Sequence, residues 1–259
     1  RTASGKPILS NDPHLEVNRV PSVWYEVVLR SRDRYAMGGS MPGLPGVLVG
    51  RTPDIAWGAT YAFMDAEDSW VERCKDGRFF REGDGWIPFR VRKERILRKG
   101  GEAAEVFFYE NDHGVLDGDP REEGLYLATR WAASESGAAT INHIFRMWNC
   151  RDVAEGMELL GRAEAAFNFV LADRHGNIGY QMPGNIPIRK SGNGLAPVPG
   201  WTGEHEWVGS IPFEELPSAF NPPEGYIVTA NNAVVDARRY PYLIGLDWDH
   251  GYRARRIEQ

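Results

Sequence analysis

Phe169-Val-Leu-Ala-Asp-Arg-His-Gly-Asn-Ile-Gly-Tyr-Gln181 is the stretch whose reading decides the fold. Phe169–Ala172 and Ile178–Gln181 are short apolar runs, and Asp173–Asn177 between them holds the Gly and Asn that a tight reversal needs. The pattern predicts an antiparallel hairpin. Upstream, Asp152 is placed to accept the first free N–H groups of a helix, and Val153, Met157, Leu159 and Leu160 recur at helical spacing as far as Arg162. A shorter helix is expected from about Thr140 to Trp148.

Outside this region the chain reads almost entirely as strand and turn. Val23–Leu29 is β-branched and aromatic and predicts a buried strand. Gly46–Val49 and Ile55–Tyr61 follow as strands, separated by the turn Arg51-Thr-Pro-Asp54. A meander is expected from Ser69 to Thr129, in which Phe89–Leu97 alternates apolar and basic as a half-exposed strand should. Tyr226–Ala230 predicts one more strand. The 29 Gly and 17 Pro are spread along the whole length, so no linker or domain boundary stands out.

Composition narrows the function. Thirty basic against 36 acidic residues leave a net charge of −6, which argues against a nucleic-acid groove, since phosphate neutralisation needs a basic face. No apolar run approaches the ~20 residues that cross a bilayer. Two cysteines, Cys74 and Cys150, cannot build a disulfide framework and lack C-x-x-C spacing; two free thiols are expected, with a single bridge left open. The chain begins at Arg1 without Met and stops in what reads as the opening turn of a helix, so it is expected to be a piece of a longer polypeptide.

No self-contained catalytic motif is present: no G-x-S-x-G elbow, no H-E-x-x-H and no phosphate-binding loop. Chemistry must therefore reside in isolated polar residues. His14 follows Asp-Pro and reads first as a turn residue. The small residues of Trp57-Gly-Ala-Thr-Tyr61 would let backbone approach a ligand, or pack a strand end in a core. Asp65, Glu67 and Asp68 are either a solvated acidic loop or oxygen ligands for a hard cation such as calcium. Asn231 and Asn232 are paired amides, each of which needs partners if buried.

These blocks together resemble a known family. Arg1-Thr-Ala-Ser-Gly-Lys-Pro-Ile-Leu-Ser-Asn-Asp-Pro-His-Leu15 is similar to the segment after the nucleophile in the penicillin acylase family of N-terminal-nucleophile hydrolases. The resemblance continues through Met41–Gly46, Ile55–Thr60, Asn168–Asp173, Gly176–Gly179, Pro199–Gly203, Glu206-Trp207, Thr229–Asn232 and Gly251–Arg253, in family order. It implies an α+β fold, an αββα sandwich of two antiparallel sheets, here incomplete and β-rich. Residues 1–259 would be a partial catalytic domain from the middle of the second chain of a self-cleaving precursor. The nucleophile strand, the first chain and the C-terminal remainder would be absent.

The implied reaction is hydrolysis of a linear amide in a small molecule of penicillin, cephalosporin or acyl-homoserine lactone type. An N-terminal Ser attacks, and its own α-amine is the base. Ser4 and Ser10 do not match that Ser, so the piece alone is expected to be inactive. By resemblance, Asn231 supplies a side-chain oxyanion donor and Tyr61 a backbone one; His14 sits near the nucleophile and Arg253 near the catalytic amine. Leu15, Ala59 and Phe63 would line the acyl pocket. Asp65, Glu67 (through its carbonyl) and Asp68 would bind structural calcium, weakened without a carboxylate from the first chain. The missing first chain is an expected partner, self-association of the piece is expected, and periplasmic or secreted location is implied. Two rival readings stay open: a non-catalytic, aromatic-rich binding module, and a family member that has lost its nucleophile.

Overall fold

The structure is a computed structural model that describes residues 2–13, 15, 18, 20, 22–134 and 137–259. In chain order the strands are β1 (Tyr25–Ser31), β2 (Arg34–Ser40), β3 (Val49–Arg51), β4 (Ile55–Tyr61), β5 (Glu67–Lys75), β6 (Arg78–Arg81), β7 (Gly85–Pro88), β8 (Arg90–Ile96), β9 (Ala104–Asn111), β10 (Gly114–Asp117) and β11 (Gly124–Trp131). After helices α1 (Gly137–Arg146) and α2 (Val153–Gly161) come β12 (Phe167–Asp173), β13 (Ile178–Gln181), β14 (Pro187–Arg189), β15 (Val198–Pro199), β16 (Trp207–Ser210), β17 (Ser218–Phe220) and helix α3 (Tyr252–Glu258). The chain divides into two compact units, residues 1–64, 135–186 and 211–259 in one, 65–134 and 187–210 in the other.

The first unit is built on a seven-stranded antiparallel sheet in the order β1-β2-β3-β4-β12-β13-β17. Ile55, Trp57 and Ala59 alternate onto one face of β4 and join Phe169, Leu171, Ile144, Met147, Val153 and Leu160 in one core. Burial of the Ile, Leu, Val, Met and Phe side chains among these contributes about 1.5–3 kcal/mol each. The Trp57 indole satisfies its N–H on the Leu48 carbonyl at 3.0 Å. Helix α2 can lie this close because Gly156 faces the sheet; a Cβ there would stand 2.5 Å from Leu171 Cδ2.

The expected hairpin forms, with Phe169 opposite Gln181. Its turn is organised by Asp173, whose carboxylate accepts from His175 N (2.9 Å), Asn177 N (3.0 Å) and Asn177 Nδ2 (2.8 Å). The same carboxylate accepts from Val153 N at 3.1 Å, the first residue of α2. Asp152 is the N-cap as expected, its side chain accepting from Glu155 N at 2.9 Å. Burial raises the Asp173 carboxyl, yet its hydrogen bonds prevail and hold it below the usual range.

Three sequence expectations need correction. Val23–Leu29 is not buried: among the described residues β1 is an edge strand paired with β2 alone, and Tyr25 and Val28 are exposed while Trp24, Val27 and Leu29 pack on the core. β8 is exposed at all seven positions rather than at alternate ones. It ends the order β7-β6-β5-β11-β10-β9-β8 in the second unit, held by pairing with β9 and by ion pairs such as Lys93 with Glu105 at 2.7 Å. Residues 226–230 join no ladder, because β-propensity cannot supply a neighbouring strand. Both cysteines are free, as expected, and both are buried.

Asp173→Ala strands four donors that converge on one carboxylate, one at the buried start of α2 and three in the turn. Unsatisfied buried donors cost about 1–3 kcal/mol each. The variant should therefore lose at least that much stability in urea unfolding, and a loss below ~0.5 kcal/mol would contradict this role.

Candidate active site

β4 ends at Tyr61, opposite Phe167 of β12. On its other side β3 pairs only with Ala56 and Trp57. Beyond them the Asn11 amide bonds both backbone groups of Ala59: Nδ2 donates to the carbonyl at 3.0 Å and Oδ1 accepts from the N–H at 3.3 Å. Gly58 permits this approach, since a Cβ would lie 2.7 Å from that of Asn11.

At the end of β4, three expected site positions come together. Asn231 Nδ2 donates to the Tyr61 carbonyl at 2.8 Å. Asn231 Oδ1 accepts from Arg253 Nη2 at 2.8 Å. The guanidinium is fixed in turn by Asp249, 2.6 Å away, whose carboxyl it holds below the usual range. Asp249 N closes the loop on the Asn231 carbonyl at 2.9 Å. Because a guanidinium can only donate, Oδ1 must face Arg253 and the NH₂ must face Tyr61. Asn231 is not at a strand end, as expected from sequence, but in a loop at φ +61°. Asn is among the few residues that tolerate this left-handed conformation. The loop is tied back to β4 by Thr60, whose hydroxyl donates to Thr229 Oγ1 at 3.0 Å.

The other expected positions divide. Phe63 packs edge-on against Tyr61, ring centroids 5.0 Å apart, and both rings are open to solvent. Ala59 is a correction: its methyl belongs to the core, because alternation along β4 turns it inward with Trp57. Leu15 is exposed. His14 lies outside the described residues. Sequence reasoning passed over Asn168, fully buried, which accepts from the Tyr180 hydroxyl at 2.7 Å and aims Nδ2 at the Tyr61 carbonyl from 3.5 Å. An amide inside the apolar run Phe167-Asn-Phe-Val-Leu171 was the available signal.

In the second unit the three acidic positions do not form a ligand set. Glu67 is exposed, whereas Asp68 is buried and receives Arg189 Nε at 2.8 Å, Nη2 at 3.0 Å and the Trp207 indole N–H. Arg189 also lies 3.2 Å from Asp65 Oδ1. Burial outweighs Arg189 and raises the Asp65 carboxyl above its ordinary value. Among the described residues no group of three or more His, Cys, Asp or Glu is arranged to hold a metal. Asp65 and Asp68 are both engaged by Arg189.

The second unit also buries a charged cluster that the sequence did not disclose. Glu72, fully buried, accepts from Arg81 Nη1 at 2.6 Å, Arg81 Nη2 at 2.9 Å and Asn111 Nδ2 at 2.7 Å. His113 stacks on Trp70 with centroids 4.5 Å apart, placing Nδ1 2.7 Å from Glu72 and Nε2 3.0 Å from Glu206. Burial pulls the imidazole down, but Glu206 and Glu72 outweigh it and hold its pKa above 6.5. Glu72 resists burial through His113 and Arg81 and falls from 4.5 to about 2.

Glu72 therefore adds stability above pH 4.5 and loses it as pH falls toward 2. His113 adds its share in full below 6.5 and loses it as pH rises through its raised value. Both act together between 4.5 and 6.5. The Tm deficit of His113→Gln should be largest in that window and shrink in alkaline buffer. A deficit independent of pH would contradict a charged imidazole.

The chain is similar to known proteins along its whole length. The penicillin amidase family model matches residues 1–259. The chain is 38% identical over 262 residues to penicillin acylase 2 proenzyme of Pseudomonas sp. (strain SE83), covering 99% of this chain and 33% of that protein. It is 33% identical over 275 residues to an acyl-homoserine lactone acylase of Pseudomonas aeruginosa, covering 100% of this chain and 32% of that protein. It thus spans about a third of the length of these curated relatives. A thermostable penicillin G acylase from Alcaligenes faecalis superposes with a TM-score of 0.76 at 26% identity, over 90% of this chain and 42% of that one. The fold is thus α+β, the N-terminal-nucleophile hydrolase fold in incomplete, β-rich form, as expected.

Proposed function

Because the chain belongs to the penicillin amidase family, we propose that the Asn231–Tyr61–Arg253 cluster is the oxyanion-binding half of an amidohydrolase site. The observation that carries this reading is the fixed orientation of the Asn231 amide, held by Arg253 on one side and the Tyr61 carbonyl on the other. An amide nitrogen has two hydrogens, and the Tyr61 carbonyl engages one. The second is free to donate to an oxygen that becomes negative as a carbonyl is attacked. The Tyr61 N–H is the natural second donor. Preorganised donors of this kind need no rearrangement when the charge develops, which is why they lower the barrier so effectively.

The attacking group is a Ser with its own α-amine as base, supplied from outside these 259 residues; none of the serines here occupies that role. The bond cleaved is a linear amide between an acyl group and a small amine. Relatives named as penicillin acylases and as acyl-homoserine lactone acylases both suit this class. The acyl group would approach past Tyr61 and Phe63, the exposed aromatic pair at the end of β4.

In the full-length processed protein, Asn231→Ala should lower kcat about 10²–10³-fold with KM little changed, as measured by amine release from an acyl amide. A kcat within about threefold of the parent would overturn the oxyanion assignment. A parent protein inactive on every acyl amide tested would overturn the hydrolase reading itself.

A further inference from the structure

We infer that Arg189 is the resident cation of the Asp65–Asp68 site, standing where a calcium ion was expected, so that this site is metal-free by construction. Hard cations need six to eight oxygens at close range. Here three of the four carboxylate oxygens are already committed: Asp68 Oδ1 and Oδ2 to the guanidinium, with the Trp207 indole also on Oδ2, and Asp65 Oδ1 to Arg189 Nη2. The Asp65 main-chain carbonyl, a natural calcium ligand, accepts from Arg189 Nη2 at 3.3 Å instead.

The arrangement is built rather than incidental. The Arg189 side chain is only 5% exposed and that of Asp68 7%. The planar fork meets Asp68 with two donors, a geometry a point charge cannot copy. β14 holds the start of this side chain, since Ile188 pairs with Gly209 of β16, and Trp207 pairs with Arg189 itself. Gly194, at φ +76°, lies over the ion group: a Cβ there would sit 2.4 Å from Asp68 Oδ1 and 2.7 Å from Arg189 Nη2. A divalent ion would have to share this enclosed space with a fixed positive charge, and the repulsion is large away from water. Arg189 Nη1 is buried without a partner among the described residues, so the guanidinium is held from the acidic side alone.

The test uses the full-length protein, with calcium content by atomic absorption and Tm in EGTA or millimolar calcium chloride. The parent should show no calcium dependence that Asp68→Asn removes. Arg189→Ala leaves the buried Asp68 carboxylate beside the partly buried Asp65 with no cation between them; its Tm should fall by several degrees, and calcium should restore part of the loss. Arg189→Lys keeps a charge but not the fork, and should fall between the two without responding to calcium. Calcium bound to the parent and abolished by Asp68→Asn would overturn the inference. So would an Arg189→Ala protein that folds and whose Tm calcium does not move.

Discussion

The ladder between β4 and β12, from Ile55 opposite Asp173 to Tyr61 opposite Phe167, ties the two ends of the first unit to one register. At one end Asp173 closes the hairpin turn and receives the first N–H of α2, so the helix is anchored to the strand it covers. Along the middle, alternation sends Ile55, Trp57 and Ala59 into the core, while Gly58 turns to the other face against Asn11. At the far end the ladder delivers the Tyr61 carbonyl to Asn231. A slip of one residue would exchange the faces, expelling Trp57 from the core and moving Tyr61 out of reach of the amide. Stability and the proposed chemistry thus share one constraint.

The second unit solves a different problem. In two groups, it takes Glu72, Asp68, Arg189 and His113 out of water and leaves their partners Arg81, Glu206 and Asp65 only partly covered. Desolvating such charges costs several kcal/mol per ion and is offset only when geometry and hydrogen bonding are close to ideal. Both groups meet that condition with paired guanidinium–carboxylate contacts and with aromatic cover, Trp70 on His113 and the Trp207 indole on Asp68. Each group joins segments far apart in sequence, Glu72 to His113 and Asp68 to Arg189.

Much of this was legible in the sequence, and the reasons are local. Ile55–Tyr61, the Asp173–Asn177 turn and the Asp152 cap are each specified within about seven residues, where backbone propensity and side-chain chemistry act directly. Asn231, Tyr61 and Arg253 were legible only through resemblance, since nothing local shows that a loop at 231 returns to a strand at 61. The Arg189 site was not legible at all. Asp65 and Asp68 advertise their charge, but the group that answers it lies 121 positions from Asp68. Glu72 and His113, 41 positions apart, were hidden for the same reason. The strand expected at residues 226–230 failed in the opposite way, with suitable residues and no partner strand among the described residues.

The central claim is that Asn231 and Tyr61 face one point at which a substrate oxygen becomes negative. The most direct measurement is a crystal structure of the full-length processed protein carrying a tetrahedral adduct, such as that formed by an acyl-chain boronic acid. The account predicts one adduct oxygen about 3 Å from both Asn231 Nδ2 and Tyr61 N, with Arg253 still on Asn231 Oδ1. An adduct whose oxygens all lie beyond hydrogen-bond reach of Asn231 would contradict it.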